Sequence, residues 1–349
     1  MPRDLTPSPI RAQRDGSFVR VANHASLALA DLGGGRLELS APQEAGAVAL
    51  DIALAAFETL TNHGEECAIR LTGSDWAPLL PDLLAKGIAL ETEIGAVVLP
   101  AAFWQVPDRW CPHPAPNYPT LWQQGPQGRH PIRPPKPKGL LYQRHIPWLD
   151  QVLTLRALDH SDLETFHRWQ NDPRVAEFFE EAGTIEQHRA YLETLMADPH
   201  MLPVIGALDG QDFAYFELYW ARENRIGAHY DAAPWDRGWH VLIGEENVRG
   251  ADYVTAWLPS LMHYMFLSEP RTQSLMGEPK ASHAQQLKNL SRGGFAHIRE
   301  FDFSHKRASL VQLERQHFFE ARLWARPETG RGTPLCFSPA RLPTTGDWT

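Results

Sequence analysis

The hydrophobic pattern of the first hundred residues predicts a small α/β arrangement. Apolar residues alternate in some segments, which is typical of strands, and recur at helical spacing in others. The predicted elements are a strand at Arg36–Ser40, a helix at Glu44–Leu60, a strand at Cys67–Leu71, a helix at Ser74–Lys86, and strands at Ile88–Thr92 and Ala96–Trp104. Their order is therefore β-α-β-α-β-β.

A longer set of elements is predicted from residue 150 onward. Thr184 followed by Gln187 forms a capping box at a helix start, and Asp209-Gly210 between two apolar runs predicts a type I′ hairpin. Strands are predicted at Val152–Arg156, Val204–Leu208, Phe213–Trp220, Trp239–Ile243, Thr272–Gly277, Ala296–Ser304 and Leu310–Phe319, and helices at Asp159–Gln170, Thr184–Met196, Gly250–Phe266 and Ala281–Arg292. The last six elements repeat the N-terminal order, so we interpret the chain as a degenerate duplication.

A proline-rich segment separates the two patterns. Ten prolines lie between Pro107 and Pro137, and proline removes backbone donors and restrains the residue before it. This composition favours a semi-rigid linker, with an SH3-type ligand as the alternative interpretation. The predicted domains are a non-catalytic α/β domain at 1–106, a linker at 107–140, a catalytic domain at 141–330 and a tail at 331–349.

Composition and charge narrow the class of protein. The chain has 349 residues with 33 basic and 42 acidic side chains, giving a net charge of −9. This acidic balance argues against nucleic acid or an anionic membrane as the main partner. Its three cysteines lack CxxC spacing, so neither a disulfide framework nor a thiolate zinc site is predicted. No apolar run is long enough to span a membrane or form a signal peptide, so we expect a soluble cytoplasmic protein.

One strand–loop–helix segment has the composition of a phosphate site. A strand ends at Ile243, and a loop leads to a long helix that opens with glycine. Free N–H groups at a helix start bind phosphate, and a preceding arginine adds positive charge. The residues expected to contact a bound cofactor here are Ile243, Gly244, Val248, Arg249, Gly250 and Ala251. An ordinary βα loop is the alternative, because neither a Walker loop nor a GxGxxG fingerprint is present.

Longer runs of sequence carry a more specific resemblance. The runs are FELYWARENRIGAHYDAAPWDRGWHVLIGEENVRG, FLSEPRTQSLMGEP, RGGF and EFDFSHKRASL, between about Leu153 and Trp324. They resemble the siderophore branch of the GCN5-related N-acetyltransferase (GNAT) superfamily, which includes hydroxylysine acetyltransferases, hydroxydiamine acyltransferases and mycobactin-type lysine acyltransferases. The sequence departs from the family after Gly277-Glu278-Pro279, where Lys280 and His283 replace an acidic residue and an asparagine.

The resemblance implies a fold, a co-substrate and a reaction. We expect a GNAT fold with a mixed, mostly antiparallel sheet flanked by helices, preceded by a smaller, degenerate GNAT-like α/β domain. Acetyl-CoA or another acyl-CoA is the implied co-substrate, with His283 as a further contact, and no metal is implied. The implied reaction acylates the N-hydroxylated side-chain amine of lysine to give a hydroxamate for siderophore biosynthesis. Hydroxyornithine, a hydroxydiamine or a non-catalytic coenzyme A-binding role are the alternatives, and siderophore-pathway enzymes are the implied partners.

Acyl transfer of this kind needs a nucleophilic nitrogen without its proton and donors for the tetrahedral oxyanion. The first candidate for a general base is His240, because imidazole titrates near neutral pH. Asp236, four residues earlier, is predicted to orient His240 or to bind a substrate ammonium group. A buried structural histidine and a solvated turn aspartate are the alternative interpretations of the two residues.

Aromatic and basic residues cluster around the same segment. The predicted acceptor contacts are His229, Tyr230, Trp220, Trp239 and Arg237, with Arg225 as a second candidate for binding an acceptor carboxylate. Core packing and surface solubility are the alternative interpretations. A metal site of His229, Asp231, Asp236 and His240 can be drawn, but the chemistry requires no metal and none is predicted.

Overall fold

The computed structural model describes residues 9–114, 118–179, 181–304, 306–326 and 342–348. The described residues of 111–315 form one compact unit, and those of 7–110 and 316–349 form the other. The unit of residues 111–315 differs at both ends from the catalytic domain predicted at 141–330. The segment 111–140 belongs with the unit that extends to residue 315, and the residues after 315 belong with the N-terminal unit. Most of the predicted tail at 331–349 lies outside the described residues.

Side chains explain both differences. Arg133, in the proline-rich segment, is buried and donates two 2.5 Å hydrogen bonds to the carboxylate of Glu223. Trp324 stacks on Trp104 with ring centroids 4.8 Å apart, and its Nε1 donates to the carbonyl oxygen of Thr61. Burial of large aromatic and paired charged groups therefore decides which unit each segment joins.

The N-terminal unit contains a seven-stranded sheet. Its elements are β1 Ala12–Asp15, β2 Phe18–Val21, β3 Leu27–Asp31, β4 Arg36–Leu39, α1 Gly46–Thr61, β5 Ala68–Leu71, α2 Leu80–Ala85, β6 Leu90–Thr92, β7 Gly95–Val98 and α3 Pro100–Phe103. The strand order is β1-β2-β3-β4-β5-β7-β6, with only β4 and β5 parallel. Helix α1 is largely buried and supplies core residues such as Ile52 and Phe57.

The other unit contains an eight-stranded sheet and a separate hairpin. Its elements are β8 Trp122–Gly125, β9 Gly128–Pro131, β10 Leu140–Ile146, β11 Gln151–Ala157, α4 Leu163–Gln170, α5 Pro173–Phe179, α6 Ile185–Ala197, β12 Met201–Leu208, β13 Gln211–Trp220, β14 Arg237–Ile243, α7 Ala251–Leu267, β15 Ser274–Gly277, α8 Ala284–Arg292, β16 Ala296–Asp302 and β17 Arg307–Glu314. A short helix, α9 Arg315–Glu320, follows in the chain, and its residues after Arg315 belong to the N-terminal unit. The strand order is β10-β11-β12-β13-β14-β15-β17-β16, and only β14 and β15 are parallel.

The two sheets repeat one topology. In each sheet, the last strand of an antiparallel meander is connected through a helix to a parallel neighbouring strand. A hairpin follows, and its second strand, rather than its first, pairs with that neighbour. The order β4-β5-β7-β6 in the N-terminal unit matches β14-β15-β17-β16 in the other. The predicted duplication therefore has a counterpart in the strand order and directions of both sheets.

Local signals placed several elements correctly. Thr184 and Gln187 form the predicted capping box, with reciprocal hydrogen bonds at the start of α6. Asp209 and Gly210 have φ values of 45° and 78°, as a type I′ turn requires.

Other predicted elements were wrong in extent. The helix predicted at Ser74–Lys86 divides into a 3₁₀ turn and α2, because Pro78 and Pro81 interrupt it. The strand predicted at Ala96–Trp104 stops at Val98, before Pro100 opens α3. The strand predicted at Leu310–Phe319 ends at Glu314, where α9 begins.

Candidate active site

Strands β14 and β15 separate to form an open wedge. Their parallel ladder contains only two pairs, Arg237 with Leu275 and Gly238 with Met276. β14 nevertheless continues to Ile243 and stays paired with β13 along its whole length. The five residues after Gly238 therefore form an edge without a neighbouring strand from β15. An extended group can bind along such an edge, because unpaired backbone groups of a strand seek hydrogen-bond partners.

The loop at the end of this edge is suited to an anion. Gly250 has a φ of 98°, which favours glycine, and it precedes α7 without any side-chain cap. The Nε and Nη2 atoms of Arg249 are buried and have no hydrogen-bond partner among the described residues. Buried donor atoms are costly unless they are satisfied. The free donors of Arg249 and the uncapped helix start thus fit a phosphate group in this loop.

The start of the same loop is held firmly in place. The indole of Trp169 packs so closely on Gly244 that an added Cβ would lie 2.3 Å from the ring. Trp169 Nε1 also donates to Glu245 at 2.9 Å, and Arg174 donates to the carbonyl oxygens of Ile243 and Gly244 at 3.1 and 3.3 Å. The strand–loop–helix segment predicted from the sequence is therefore present, with a rigid entrance.

His240 lies between two buried carboxylates on the face of the sheet that α4, α5 and α6 cover. Its Nδ1 is 2.7 Å from Oε2 of Glu217, the residue directly opposite in β13. Its Nε2 is 3.2 Å from Oε1 of Glu278, just after β15. The imidazole side chain is 24% exposed, whereas those of Glu217 and Glu278 are 3% and 2% exposed. The imidazole thus bridges two strands beside the wedge.

Each carboxylate has further donors. Glu217 also accepts hydrogen bonds from the hydroxyls of Tyr191 and Tyr215, at 2.5 and 3.0 Å. Glu278 accepts from the Tyr219 hydroxyl at 2.8 Å and from Arg225 Nη2 at 3.3 Å. Lys306 Nζ lies 3.9 Å from Glu278 Oε1 and donates to its backbone carbonyl at 2.8 Å. We call Glu217, His240, Glu278 and these five donors the glutamate–histidine cluster.

The cluster shifts the pKa values of its members apart. Burial acts to lower the pKa of His240, but the charge of Glu278 and hydrogen bonds to both glutamates outweigh it and raise the pKa to about 9. Burial acts to raise the pKa of Glu217 and Glu278, yet hydrogen bonds and the charge of His240 hold both below their ordinary range. Burial raises the pKa of Tyr191, Tyr215 and Tyr219.

Asp236 is not the residue that orients His240. Its Oδ2 accepts hydrogen bonds from the Tyr230 hydroxyl at 3.0 Å and from the backbone N–H of Ala233 at 2.9 Å. Burial raises the pKa of Asp236. His229 packs its ring on Phe301, with centroids 4.5 Å apart. The structure therefore joins Tyr230 to Asp236, and gives the orienting role to Glu217 and Glu278.

The predicted aromatic residues divide between different surroundings. Trp239 is buried on the opposite face from His240 and contacts Phe295, with centroids 5.1 Å apart. Trp220 stacks under the guanidinium of Arg133 at 4.2 Å and meets Trp235 edge to face. These contacts are those of packed side chains, with Trp239 buried and Trp220 half-buried.

Arg237 is placed as a structural residue, which corrects its expected role as a carboxylate clamp. It is 6% exposed, and its Nη1 donates to the carbonyl of Met265 and to Ser268 at the end of α7. The alternative, Arg225, has a side chain that is 46% exposed. Its Nε and Nη1 make no hydrogen bond within the described parts of the chain. Of these two residues, Arg225 is the one whose guanidinium is open to a ligand.

His283 lies at the N-cap of α8, where its Nδ1 accepts a hydrogen bond from Gln286 N–H at 3.3 Å. The neighbouring Lys280 forms an isolated bridge with Ala308 on β17. His283 thus has a structural contact of its own, and its role toward a cofactor stays a prediction.

Glu217 is the main residue of the candidate site that the sequence did not reveal. It is a charged residue within the otherwise apolar strand run FAYFELYW. A carboxylate at such a position must be buried, and buried charges are almost always paired. That signal could have identified Glu217, although not its partner.

Two features are absent from the described residues. They contain no group of three or more His, Cys, Asp or Glu side chains arranged to hold a metal ion. None of the helices within them is both long and apolar enough to cross a bilayer.

Comparison with known proteins places these features in a family. Residues 159–303 match the acetyltransferase (GNAT) domain family. The N(6)-hydroxylysine O-acetyltransferase of Escherichia coli is 42% identical over 222 residues, covering 63% of this chain and 70% of that protein. A hydroxyornithine transacylase of Ajellomyces capsulatus is 46% identical over 198 residues, which are 55% of this chain and 45% of that protein. A solved Bacillus halodurans protein, bh2621, aligns with a TM-score of 0.51 at 24% identity, covering 54% of this chain and 96% of that one.

The wedge, the loop before α7 and these matches define an acyltransferase of the GNAT superfamily. Within it, the chain belongs to the family of siderophore-biosynthesis acyltransferases that contains the E. coli enzyme. The family and fold expected from the sequence are confirmed. The chain spans less than half the length of the hydroxyornithine transacylases that it matches.

Proposed function

We propose that this protein transfers an acyl group from acyl-CoA to the N-hydroxylated side-chain amine of lysine, giving a hydroxamate for siderophore biosynthesis. Arg249 carries the coenzyme A part of the proposal, because its buried donors lack a partner beside an uncapped helix start. The similarity to the E. coli hydroxylysine enzyme supports the acceptor. The open edge of β14 would accommodate the extended arm of the donor.

The chemistry required of the protein is limited. Holding a thioester carbonyl beside a nucleophilic nitrogen supplies much of the rate enhancement. The nitrogen attacks the carbonyl carbon, the carbon–sulfur bond breaks, and coenzyme A leaves as the thiol after taking up a proton. A hydroxylamine nitrogen is less basic than an amine, because the hydroxyl group withdraws electron density. It therefore reaches the site already neutral.

Both the proposed acceptor, hydroxylysine, and the proposed donor, acetyl-CoA, have alternatives. The match to hydroxyornithine transacylases, one of Beauveria bassiana named for an anhydromevalonyl coenzyme A donor, favours testing hydroxyornithine and larger acyl groups. The E. coli relative is named an O-acetyltransferase, so transfer to the hydroxylamine oxygen is a second outcome to test. A coenzyme A-binding protein without catalysis is the third. Siderophore-pathway enzymes are the proposed partners, in the cytoplasm.

An acceptor screen tests the function. The protein is mixed with acetyl-CoA and with N6-hydroxylysine, N5-hydroxyornithine, a hydroxydiamine or lysine, and release of free thiol is followed. Mass spectrometry identifies the product, and a ferric colour reaction distinguishes a hydroxamate from an O-acyl hydroxylamine. We expect ferric-positive product with hydroxylysine. Coenzyme A binding without thiol release for every acceptor would instead support the non-catalytic alternative.

A further inference from the structure

The geometry at His240 assigns this residue a role other than proton acceptor. We propose that His240 is a protonated bridge between Glu217 and Glu278, and that the enzyme therefore selects acceptors whose nitrogen is already neutral. This inference rests on the proposed function for the identity of the acceptor. The protonation state of the imidazole does not depend on the proposed function.

The first step concerns hydrogen atoms on the ring. Nδ1 and Nε2 of His240 lie within hydrogen-bond distance of oxygen atoms of two different carboxylates. An ionised carboxylate only accepts hydrogen bonds. Both ring nitrogens must therefore carry a hydrogen atom, which makes the ring an imidazolium. Neither nitrogen has a free lone pair for a substrate proton.

The second step concerns whether the glutamates are ionised. Glu217 accepts from Tyr191 and Tyr215 in addition to His240, and Glu278 accepts from Tyr219 and Arg225. Hydrogen bonds to the charged form of a carboxyl group favour that form. The low pKa values of both glutamates and the pKa of about 9 for His240 agree with this arrangement.

The third step concerns other groups that could act as the base. The titratable side chains around His240 are Glu217, Tyr215 and Tyr219 from β13, Tyr191 from α6, Arg225 from the turn after β13, Glu278 after β15 and Lys306 before β17. The two carboxylates are poor proton acceptors, and the tyrosines stay protonated. Neither the carboxylates nor the tyrosines of the glutamate–histidine cluster therefore serve as a base near neutral pH.

Selectivity follows from this lack of a base in the cluster. An ordinary side-chain amine is almost entirely protonated at pH 7, because the pKa of lysine is about 10.4. Without a base it reacts only through its small neutral fraction. A hydroxylated amine needs no such help, and a proton is lost only as the tetrahedral adduct collapses. The cluster thus favours hydroxylated over unmodified amines through the protonation state of the acceptor nitrogen rather than through the shape of the site.

Nuclear magnetic resonance tests the imidazole directly. The full-length protein is labelled with ¹⁵N-histidine, and the signals of residue 240 are assigned by their loss in His240→Gln. We expect both ring nitrogens of His240 to show protonated shifts at pH 7 and 8. A neutral tautomer of His240 at pH 7 overturns the proposal, whatever the enzyme acylates. In Glu217→Gln the titration of His240 should move to lower pH.

Kinetics with a matched pair of acceptors tests the selectivity. For wild type, kcat/KM should change little between pH 6 and 8 with hydroxylysine, and should rise about tenfold per pH unit with lysine as its neutral fraction grows. His240→Gln should lose about 10²-fold toward both acceptors alike, as expected when a catalytic site is displaced. A mutant that loses activity with lysine far more than with hydroxylysine would mark His240 as a base. The same two acceptors are compared in Asp236→Asn, because Asp236 is the other candidate base.

The two hypotheses fail in different ways. If no hydroxylated acceptor is turned over but His240 is doubly protonated, the proposed function fails and the bridge stands. If hydroxylysine is acylated but His240 is neutral, the function stands and the bridge fails.

Discussion

The indole Nε1 of Trp76 donates a 3.0 Å hydrogen bond to the carbonyl oxygen of Leu39, at the end of β4. The backbone N–H of Thr72 reaches the same oxygen at 3.1 Å. β4 pairs with β5 along all four of its residues, whereas the corresponding pair β14 and β15 shares only two pairs. The N-terminal unit thus repeats the topology of the catalytic unit but has its wedge closed.

We therefore expect one coenzyme A per chain. The loop between β4 and α1, residues 40–45, also lacks an arginine or lysine, and its Pro42 has no backbone N–H to donate. Titration calorimetry of the full-length protein with coenzyme A gives the stoichiometry. Two equivalents at saturation would contradict the closed N-terminal wedge.

Charge reversal at Arg249 should weaken coenzyme A binding. In Arg249→Glu, a negative charge replaces the guanidinium whose Nε and Nη2 have no protein partner. Hydrogen bonds to charged groups contribute about 1.5–3 kcal/mol, so the dissociation constant should rise at least about tenfold. The matched control is Arg307→Glu, the same charge change on an exposed side chain of β17 paired with Glu300. An equal effect of both variants, or an unchanged constant for Arg249→Glu, removes the loop from the cofactor site.

Arg225 should bind the carboxylate of the acceptor. Its exposed guanidinium is held by Glu278 through Nη2, which leaves Nε and Nη1 for a ligand. Arg225→Gln should raise KM at least about tenfold for hydroxylysine, because an ion pair with paired hydrogen bonds is lost. KM for a hydroxydiamine, which has no carboxylate, should stay the same.

The same pair of acceptors supplies the control for Arg225. Equal losses for hydroxylysine and the hydroxydiamine would show that Arg225 only supports Glu278. Arg237 offers a contrast, since its buried contacts with Met265 and Ser268 predict that Arg237→Gln lowers thermal stability without changing the ratio of the two acceptors.

Stability should fall as pH rises through the titration of His240. The folded protein binds this proton more tightly than the unfolded chain, because the pKa of His240 is raised from 6.5 to about 9. The resulting stabilisation is fully present below pH 6.5 and is lost as pH rises toward 9. Scanning calorimetry of the wild type should therefore show Tm decreasing across this interval.

A double-mutant cycle isolates this contribution. His240→Gln leaves two buried carboxylates without their shared cation and should lower Tm. Adding Glu217→Gln removes one of those charges and should recover part of the loss, since the two residues are in direct contact. The double variant should also lose the wild-type dependence of Tm on pH between 6.5 and 9. A wild-type slope that persists in the double variant would assign it to another group.

The sequence by itself determined the elements whose signals are local. The Thr184–Gln187 capping box and the Asp209-Gly210 turn depend on neighbours within four residues. The strand–loop–helix at Arg249 and Gly250 could be read because glycine, a cation and a helix start adjoin in the chain. The order of elements followed from these same short-range patterns, whereas the family followed from the resemblance of longer runs such as the one from Phe216 to Gly250.

Only the tertiary structure decided the chemistry around His240. Glu217 and Glu278 lie 23 and 38 residues away from it along the chain, in opposite directions, and strand pairing brings both to one imidazole. Asp236, only four residues from His240, was the wrong choice of partner because Tyr230 and Ala233 hold its carboxylate. Nearness in sequence predicts hydrogen bonds within a turn. A buried charge is paired with a side chain from a neighbouring strand, and the register between the strands decides which side chains meet.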